Sequence, residues 1–216
     1  MKKFLSAAAL FLSGAIFTGM VCLFVYWRDQ SAESKSSIEV MSAAESVGAT
    51  DNRKLLADAF TVVEAIRNRD FQTLSEWIHP TDGVYFIPYS TVRKNENQHF
   101  SNNDVRNFSN DKNSYVWGTV DGEGSPISMT PKAYVDRYVY DYDFFQAQVI
   151  GINTVVRSGN SLENVKDAFP DCDFVEFHYP GSDEYEGLDW RSLKLVFTRS
   201  DSGRSLVAVI HSEWTI

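Results

Sequence analysis

The last part of the chain contains three β-rich runs: FVEFHY at residues 174–179, WRSLKLVFT at 190–198 and SLVAVIHSEWT at 205–215. β-Branched and aromatic residues are frequent in these runs, as is typical of strands. The polar loop at 199–204 separates the second run from the third and is typical of a hairpin connection. The sequence therefore predicts an antiparallel meander at the end of the chain.

Helical patterns precede this meander. Residues 51–69 place Leu55, Val63 and Ile66 on one face, which predicts an amphipathic helix. Asp70 can cap a second, short helix that follows directly. Helices first and a meander last indicate an α+β fold. This element order resembles the NTF2-like (cystatin-like) cone, in which N-terminal helices pack on a curved antiparallel sheet.

The N-terminal segment is strongly apolar. The chain begins with MKK and has no charged residue from Phe4 to Trp27. About 20 apolar residues in a helix span a bilayer core, so residues 1–27 predict a transmembrane anchor. A cleaved signal peptide is the alternative. Residues 28–50 are rich in Ser, Ala and Glu and predict a flexible tether, which leaves 51–216 as a single globular domain.

The charges are distributed unevenly along the chain. All 29 Asp and Glu residues follow Trp27, together with 18 of the 20 Lys and Arg residues, so this part carries a net charge of −11. An acidic surface repels nucleic acid, and the sequence therefore predicts no nucleic-acid partner. The MKK start is typical of a bacterial export signal. We expect a single-pass protein of the cell membrane whose domain faces the periplasm or the cell exterior.

Seven groups of unusual phrases occur after residue 70. They are HPTDGV at 79–84, FIPY at 86–89, WG at 117–118 with DG at 121–122, GNSL at 159–162, VEFHYPG at 175–181, LDWRSL at 188–193 and HSEWTI at 211–216. Together they resemble a family of bacterial exported or lipoprotein-type domains. The resemblance implies an extracytoplasmic bacterial domain and assigns no catalytic residue. Lipoprotein members have a small residue before their anchor cysteine, whereas Val21 precedes Cys22 here.

Three polar side chains on the predicted strands are candidates for acid–base chemistry. Glu176 and His178 are two residues apart and therefore share one face of a strand. A carboxylate beside an imidazole can orient the ring and raise its pKa. The alternative is a solvated strand face. If the last strand pairs near that of His178, His211 could join them in a cluster suited to binding zinc or another transition metal. Because the chain has no paired metal-ligand motif, we predict no metal site and no cofactor.

An acidic run lies near the end of a predicted helix. Asp136, Asp141 and Asp143 alternate there with tyrosines. The run lacks the loop spacing and central glycine of an EF-hand, so the sequence predicts solvated carboxylates rather than a Ca²⁺ site.

Aromatic residues form 14% of the chain. A cone-shaped sheet can close around a small-ligand pocket with aromatic walls. Five aromatic residues are predicted to line such a pocket, with an ordinary core as the alternative: Trp117, Tyr140, Tyr179, Trp190 and Trp214. The alternation along residues 205–215 also predicts that Trp214 is buried.

Three functions are compatible with these patterns. The favoured one is a non-catalytic binding or interaction module, anchored in the membrane and binding an envelope protein or a small ligand. The second is a small-substrate enzyme on an NTF2-like cone, with His178 and Glu176, or His211, as acid–base groups. The third is a structural part of an envelope assembly, which predicts an exposed apolar patch on the outer face of the sheet.

Overall fold

The computed structural model describes residues 39–42, 48–200 and 203–215 of the 216-residue chain. The predicted anchor at 1–27 lies outside the described residues, and so does most of the predicted tether. Within the described ranges, no helix is both long enough and apolar enough to cross a bilayer.

Helices and strands combine in an α+β fold, which confirms the predicted class. The strands in the described part of the chain are β1 (Glu39–Ser42), β2 (Val84–Ile87), β3 (Gln98–Phe100), β4 (Tyr115–Thr119), β5 (Pro126–Met129), β6 (Val149–Ile152), β7 (Asp173–Tyr179), β8 (Arg191–Ser200) and β9 (Gly203–Glu213). The α-helices there are α1 (Ala49–Arg67), α2 (Phe71–Trp77), α3 (Asn102–Arg106), α4 (Pro131–Tyr138) and α5 (Val165–Ala168).

The predicted meander forms the centre of the main sheet. Among the described residues this sheet has seven strands in the order β1-β6-β7-β8-β9-β2-β3. From β6 to β9, each strand runs antiparallel to the next. At the two sides of this series, β2 runs parallel to β9 and β1 runs parallel to β6. β4 and β5 form a separate antiparallel pair. The main sheet thus joins the end of the chain to segments from its first half.

The strands β1 and β3 lie in stretches whose sequence pattern indicates no strand. β1 occupies four residues of the stretch assigned to a flexible tether, and it pairs with β6. β3 occurs in a polar stretch and has one fully buried apolar residue, Phe100. Three or four residues are too few to show a strand period, and pairing with an existing sheet edge stabilises them. Residues 38–216 form one compact unit that contains the predicted domain.

Local capping signals set the helix ends. The Asp70 carboxylate accepts a hydrogen bond from the backbone amide of Thr73 at the start of α2. Thr130 caps α4 in the same way, and Pro131 occupies the first helical turn, where its missing amide hydrogen has no cost. The helices predicted to start after these two capping residues are therefore present.

The main sheet is covered on both faces. On the inner face, α1, α2 and α4 contribute to an aliphatic and aromatic core around Phe86 and Phe177. On the outer face, the connection between β6 and β7, residues 153–172 (the outer segment), supplies Val165 and Phe169 to a second core with Phe174. The expectation of an exposed apolar outer face, made for an envelope-assembly part, is wrong at this second core because the outer segment buries it.

A β-bulge interrupts the alternation along β9. Val196 pairs with Ala208 but Phe197 pairs with Leu206, so Val207 is the extra residue. Leu206 consequently packs in the inner core, although Ala208 and the following even positions face outward. β9 then ends at Glu213, one residue before Trp214. The prediction that Trp214 is buried is wrong: 40% of this residue is exposed.

Candidate functional site

The two candidate acid–base histidines lie on opposite faces of the main sheet. His178 pairs with Ser192, and Ser192 pairs with Ser212, so these three side chains share the outer face. His211 is adjacent to Ser212 in sequence and therefore points to the inner face. The cluster of Glu176, His178 and His211 that was considered from the sequence does not form, because the sheet separates His211 from the other two side chains.

The Glu176 side chain belongs to a buried ionic group on the outer face, the outer polar cluster (Glu163, Glu176, Lys194 and Ser212). The Lys194 ammonium is completely buried and lies 2.7 Å from Glu163 Oε2 and 3.6 Å from Glu176 Oε2. It also donates a hydrogen bond to Ser212 Oγ, at 3.3 Å. Burial opposes the lysine charge, but the two carboxylates outweigh it and raise the pKa of Lys194.

This cluster fastens the outer segment to the sheet. Glu163 comes from the outer segment, and the backbone amide of Val156, in the same segment, donates a hydrogen bond to Glu176 Oε2 at 3.0 Å. The alternative of a solvated strand face is therefore wrong for Glu176, which is fully buried. Its partner Lys194 was missed, although a lysine between Leu193 and Leu195 in a strongly apolar run is an unusual signal.

His178 is held as a neutral ring. Its Nδ1 lies 2.8 Å from Ser192 Oγ, and its ring packs against that of Trp190 at 5.9 Å between centroids. Burial, together with the positive charges of Arg157 and Lys194, lowers the pKa of His178 from 6.5 to about 4. A general acid–base group works best when its pKa is near the working pH. The pKa of His178 lies well below neutral pH, so this ring is poorly suited to acid–base catalysis there.

The lowered pKa of His178 predicts a specific acid sensitivity. Because the folded state disfavours the charged ring, His178 stabilises the fold above pH 6.5, and this contribution is lost as the pH falls towards 4. Between pH 7 and pH 4.5 we expect the loss to be about 2–3 kcal/mol. Urea unfolding at both pH values should show a smaller loss for His178→Asn than for wild type. His99→Asn, at an exposed histidine, is the matched control variant.

The His211 side chain belongs to a second ionic group on the inner face, the inner ionic cluster (Arg137, Asp141, Arg191, His211 and Glu213). His211 Nε2 lies 3.1 Å from Asp141 Oδ1. The Arg191 guanidinium bonds Asp141 Oδ2 at 3.0 Å and lies 3.2 Å from Glu213 Oε2. Arg137 bonds the other oxygen of Glu213 at 2.9 Å. Two arginines thus neutralise the two carboxylates.

The carboxylate of Asp141 is integrated into this cluster. Burial opposes its charge, but the His211 contact and the Arg191 guanidinium keep the pKa of Asp141 below its ordinary value. The prediction of solvated carboxylates at the end of the helix is therefore wrong for Asp141, only 13% of whose side chain is exposed. The sequence does not reveal this contact because Asp141 and His211 are 70 residues apart.

Both ring nitrogens of His211 face acceptors. Nδ1 lies 3.3 Å from the Pro88 carbonyl oxygen, and Nε2 faces the Asp141 carboxylate. The ring is fully buried, so neither nitrogen is presented to a substrate in this arrangement.

The inner ionic cluster also contains a possible set of metal ligands. One ligand atom each from Asp141, His211 and Glu213 lies within 4.8 Å of the others. This donor set could accept a transition metal, but Arg191 and Arg137 already pair with the same two carboxylates. A divalent cation there would meet the repulsion of two guanidinium groups. The sequence-based expectation of no metal site and no cofactor stays a prediction.

The five aromatic residues predicted to line one pocket are dispersed. Trp117 is buried in the inner core, stacked on Tyr134, whereas Trp190 is buried on the outer face beside His178. Tyr140 and Tyr179 are half-buried and both bond Asp143, and Trp214 is exposed. Tyr179 lines a small cavity of about 220 Å³ with Tyr142. These residues therefore do not form a single aromatic pocket.

A larger cavity of about 440 Å³ opens between three separate parts of the chain. Its walls come from the loop after β2 (residues 88–97), from the end of β4 and the following turn (116–121), and from the outer segment (160–162). We call it the polar cleft. Exposed apolar residues stand at its rim: 52% of Val116 and 67% of Leu162 are exposed.

A hydrogen-bonded seam fixes the walls of the polar cleft. Asp121 Oδ2 accepts from the hydroxyls of Ser161 and Thr215, the latter at 2.6 Å. The Thr215 hydroxyl oxygen also lies 2.8 Å from Asn160 Oδ1, and the Asn160 amide donates to the Thr215 carbonyl oxygen. The hydroxyls of Ser161 and Thr215 hold the pKa of Asp121 below its ordinary value. The seam joins a hairpin, the outer segment and the end of the chain.

Tyr89 and Gly118 shape the cleft at the side of the β2 loop. Burial and a hydrogen bond with Tyr138 raise the pKa of Tyr89 far above its ordinary value, so the phenol stays protonated. Gly118 has φ +150°, and a Cβ there would lie 3.2 Å from Pro88 Cγ. A glycine therefore permits this close approach of β4 to the loop.

Residues of the cleft were not predicted as site residues, yet the sequence carried a signal for them. Three of the unusual phrases supply lining residues: FIPY at 86–89, WG with DG at 117–122 and GNSL at 159–162. The terminal HSEWTI contacts the wall through the Thr215 hydroxyl. The phrases are far apart along the chain, and only the fold shows that they share one cleft.

Comparisons with known proteins give no family. No family model matches the chain, and no curated protein matches it significantly. Among solved structures, a domain with a cystatin-like fold from Nostoc punctiforme is 12% identical, with a TM-score of 0.36, over 79% of this chain and 81% of that chain. A protein of the NTF2-like family from Streptomyces avermitilis is 14% identical, with a TM-score of 0.33, over 77% and 99%. The resemblance to exported or lipoprotein-type domains stays a prediction.

Proposed function

We propose that this chain is a non-catalytic binding module, displayed outside the cytoplasm by its N-terminal segment, with the polar cleft as its ligand site. The observation that carries the proposal is the convergence of three sequence phrases on one cavity. The hydrogen-bonded seam supports it as well, because a cleft whose walls are already fixed loses little conformational freedom when a ligand binds. The volume of about 440 Å³ is that of a small-ligand site.

The arrangement of the acid–base candidates favours binding over catalysis. His178 is buried and neutral beside Ser192, and both nitrogens of His211 are directed at protein acceptors. Glu176 is committed to Lys194 and to the Val156 amide. These groups stabilise the two faces of the sheet, and an enzyme that used them would first have to break buried contacts.

We also propose an NTF2-like cone as the finer description of the fold. Apart from β1, every described strand of the main sheet follows the helices α1 and α2, and the last four strands form an antiparallel meander. The apolar segment at 1–27 and the MKK start support a membrane anchor with the domain outside the cytoplasm. The acidic composition after Trp27 supports a partner other than nucleic acid.

The proposal can be tested on the full-length protein. After alkaline carbonate washing, we expect the chain in the membrane fraction, and mass spectrometry of the detergent-extracted protein should detect a retained small molecule. Thr119→Trp, at an exposed cleft-lining position, should lose that molecule because the indole fills the cleft. Lys132→Met, at an exposed position on α4, is the matched control.

Two outcomes would contradict these proposals. If Thr119→Trp retains the small molecule as well as wild type does, the ligand site lies outside the cleft. If the carbonate wash releases the chain from the membrane fraction, residues 1–27 are not a membrane anchor.

A further inference from the structure

We infer that the polar cleft takes a neutral, hydroxyl-rich ligand, in chemical terms a saccharide unit. This inference rests on the proposed binding function and names its ligand class. It follows from three properties of the cleft: the placement of its charges, its mixture of hydrogen-bond donors and acceptors, and its apolar rim.

The charges in the cleft have both signs at close range. Arg93 lies at the mouth with Glu96, their Nε and Oε2 atoms 3.9 Å apart. The positive charge of Arg93 also acts on Asp121. An anionic ligand would meet two carboxylates, Glu96 and Asp121, and a cationic ligand would compete with Arg93 for those same carboxylates. The placement therefore favours a ligand without net charge.

The polar groups of the cleft require both donors and acceptors from a ligand. The Arg93 guanidinium only donates, and the carboxylates of Glu96 and Asp121 only accept. Asn97 Oδ1 already accepts from the Arg93 backbone amide, so the Asn97 NH₂ group is a further donor. A hydroxyl group donates and accepts at once, so neighbouring hydroxyls can satisfy each of these groups. Guanidinium and carboxylate groups can each bond two ligand atoms in parallel, which suits adjacent hydroxyls on one ring.

The rim supplies apolar surface next to this polar interior. Pro88 and the half-buried Tyr89 line one wall, and the exposed Val116 and Leu162 stand at the opening. A saccharide ring has polar edges and C–H faces, and the cleft offers a matching pair of surfaces. Exposed leucine and valine side chains at the opening would also lose water contact when such a ring enters.

Direct binding measurements test the inference. The full-length protein in a detergent without a sugar headgroup would be titrated calorimetrically with maltose, cellobiose and N,N′-diacetylchitobiose. We expect saturable binding of at least one of these disaccharides. Thr119→Trp and Arg93→Leu should each weaken that binding at least tenfold. The first variant fills the cleft with an indole ring, and the second removes the guanidinium that donates hydrogen bonds to the ligand. Lys132→Met should bind as wild type does.

The outcomes separate this inference from the proposed function. If none of the three disaccharides binds but a retained small molecule of another class is lost in Thr119→Trp, the binding function stands and the saccharide inference fails. Binding of a neutral tripeptide or of a charged probe instead of the disaccharides would also overturn it. Disaccharide binding that neither cleft variant changes would overturn the placement of the site. If neither a retained molecule nor disaccharide binding is found, both proposals fail.

Discussion

Replacing Lys194 with methionine should lower the free energy of unfolding of residues 38–216 by about 3–5 kcal/mol, because it leaves two buried carboxylates without their cation. Glu176 and Glu163 lie 3.6 Å and 2.7 Å from the ammonium, which is completely shielded from water. Urea unfolding of the purified fragment, followed by circular dichroism, measures the change. A loss of this size is a large part of the roughly 5–15 kcal/mol typical of a whole domain.

Two comparisons make the Lys194 result specific. Lys132→Met breaks an exposed i,i+4 pair with Asp136, at 3.0 Å, and should cost less than about 1 kcal/mol. Adding Glu176→Gln to Lys194→Met should recover part of the loss, since it removes one uncompensated charge. If Lys194→Met and Lys132→Met unfold at the same urea concentration, the outer polar cluster does not hold the outer segment to the sheet.

The second large effect is expected at Trp117. Its ring stacks on Tyr134 with 3.8 Å between centroids, and its indole nitrogen donates to the Met129 carbonyl at 2.9 Å. Trp117→Ala should therefore cost about 3–5 kcal/mol, the range for deleting a buried aromatic side chain. Trp214→Ala, at an exposed position after the end of β9, should change stability by less than about 1 kcal/mol.

Thermal and urea unfolding of the two tryptophan variants show whether Trp214 is exposed, as in the structure, or buried, as the sequence pattern predicts. The alternation along residues 205–215 predicts a buried Trp214, and the bulge at Val207 together with the end of β9 removes that expectation. A severe loss at Trp214 combined with a mild one at Trp117 would mean that the last strand continues past Glu213 and that the inner core is arranged differently.

The sequence supports prediction where one period extends over many residues. The amphipathic α1 has such a period, the meander at 174–215 consists of long β-rich runs, and the capping residues Asp70 and Thr130 mark helix starts through local hydrogen bonds. The α+β class follows from these elements alone. The two short strands β1 and β3 have no period of their own and are stabilised by pairing with the sheet.

The candidate sites depend on contacts that local patterns do not contain. His178 and His211 were grouped from residue type, but which face each occupies follows from the register of β7, β8 and β9. Lys194 becomes a cluster member only because the outer segment folds over it. The cleft joins Asp121, Ser161 and Thr215 through side-chain hydrogen bonds across 40 and 94 residues of sequence.

Hydrogen–deuterium exchange tests the central claim, that the cleft rather than the histidine clusters binds the ligand. The exchange of the full-length protein with its retained small molecule would be compared with that of the same protein after the molecule has been stripped by dialysis in detergent. We expect stripping to speed amide exchange in residues 88–97, 116–121 and 160–162, with little change around Asp141 and His211. Faster exchange confined to residues 137–143 and 209–213 would contradict it and would make the inner ionic cluster the ligand site.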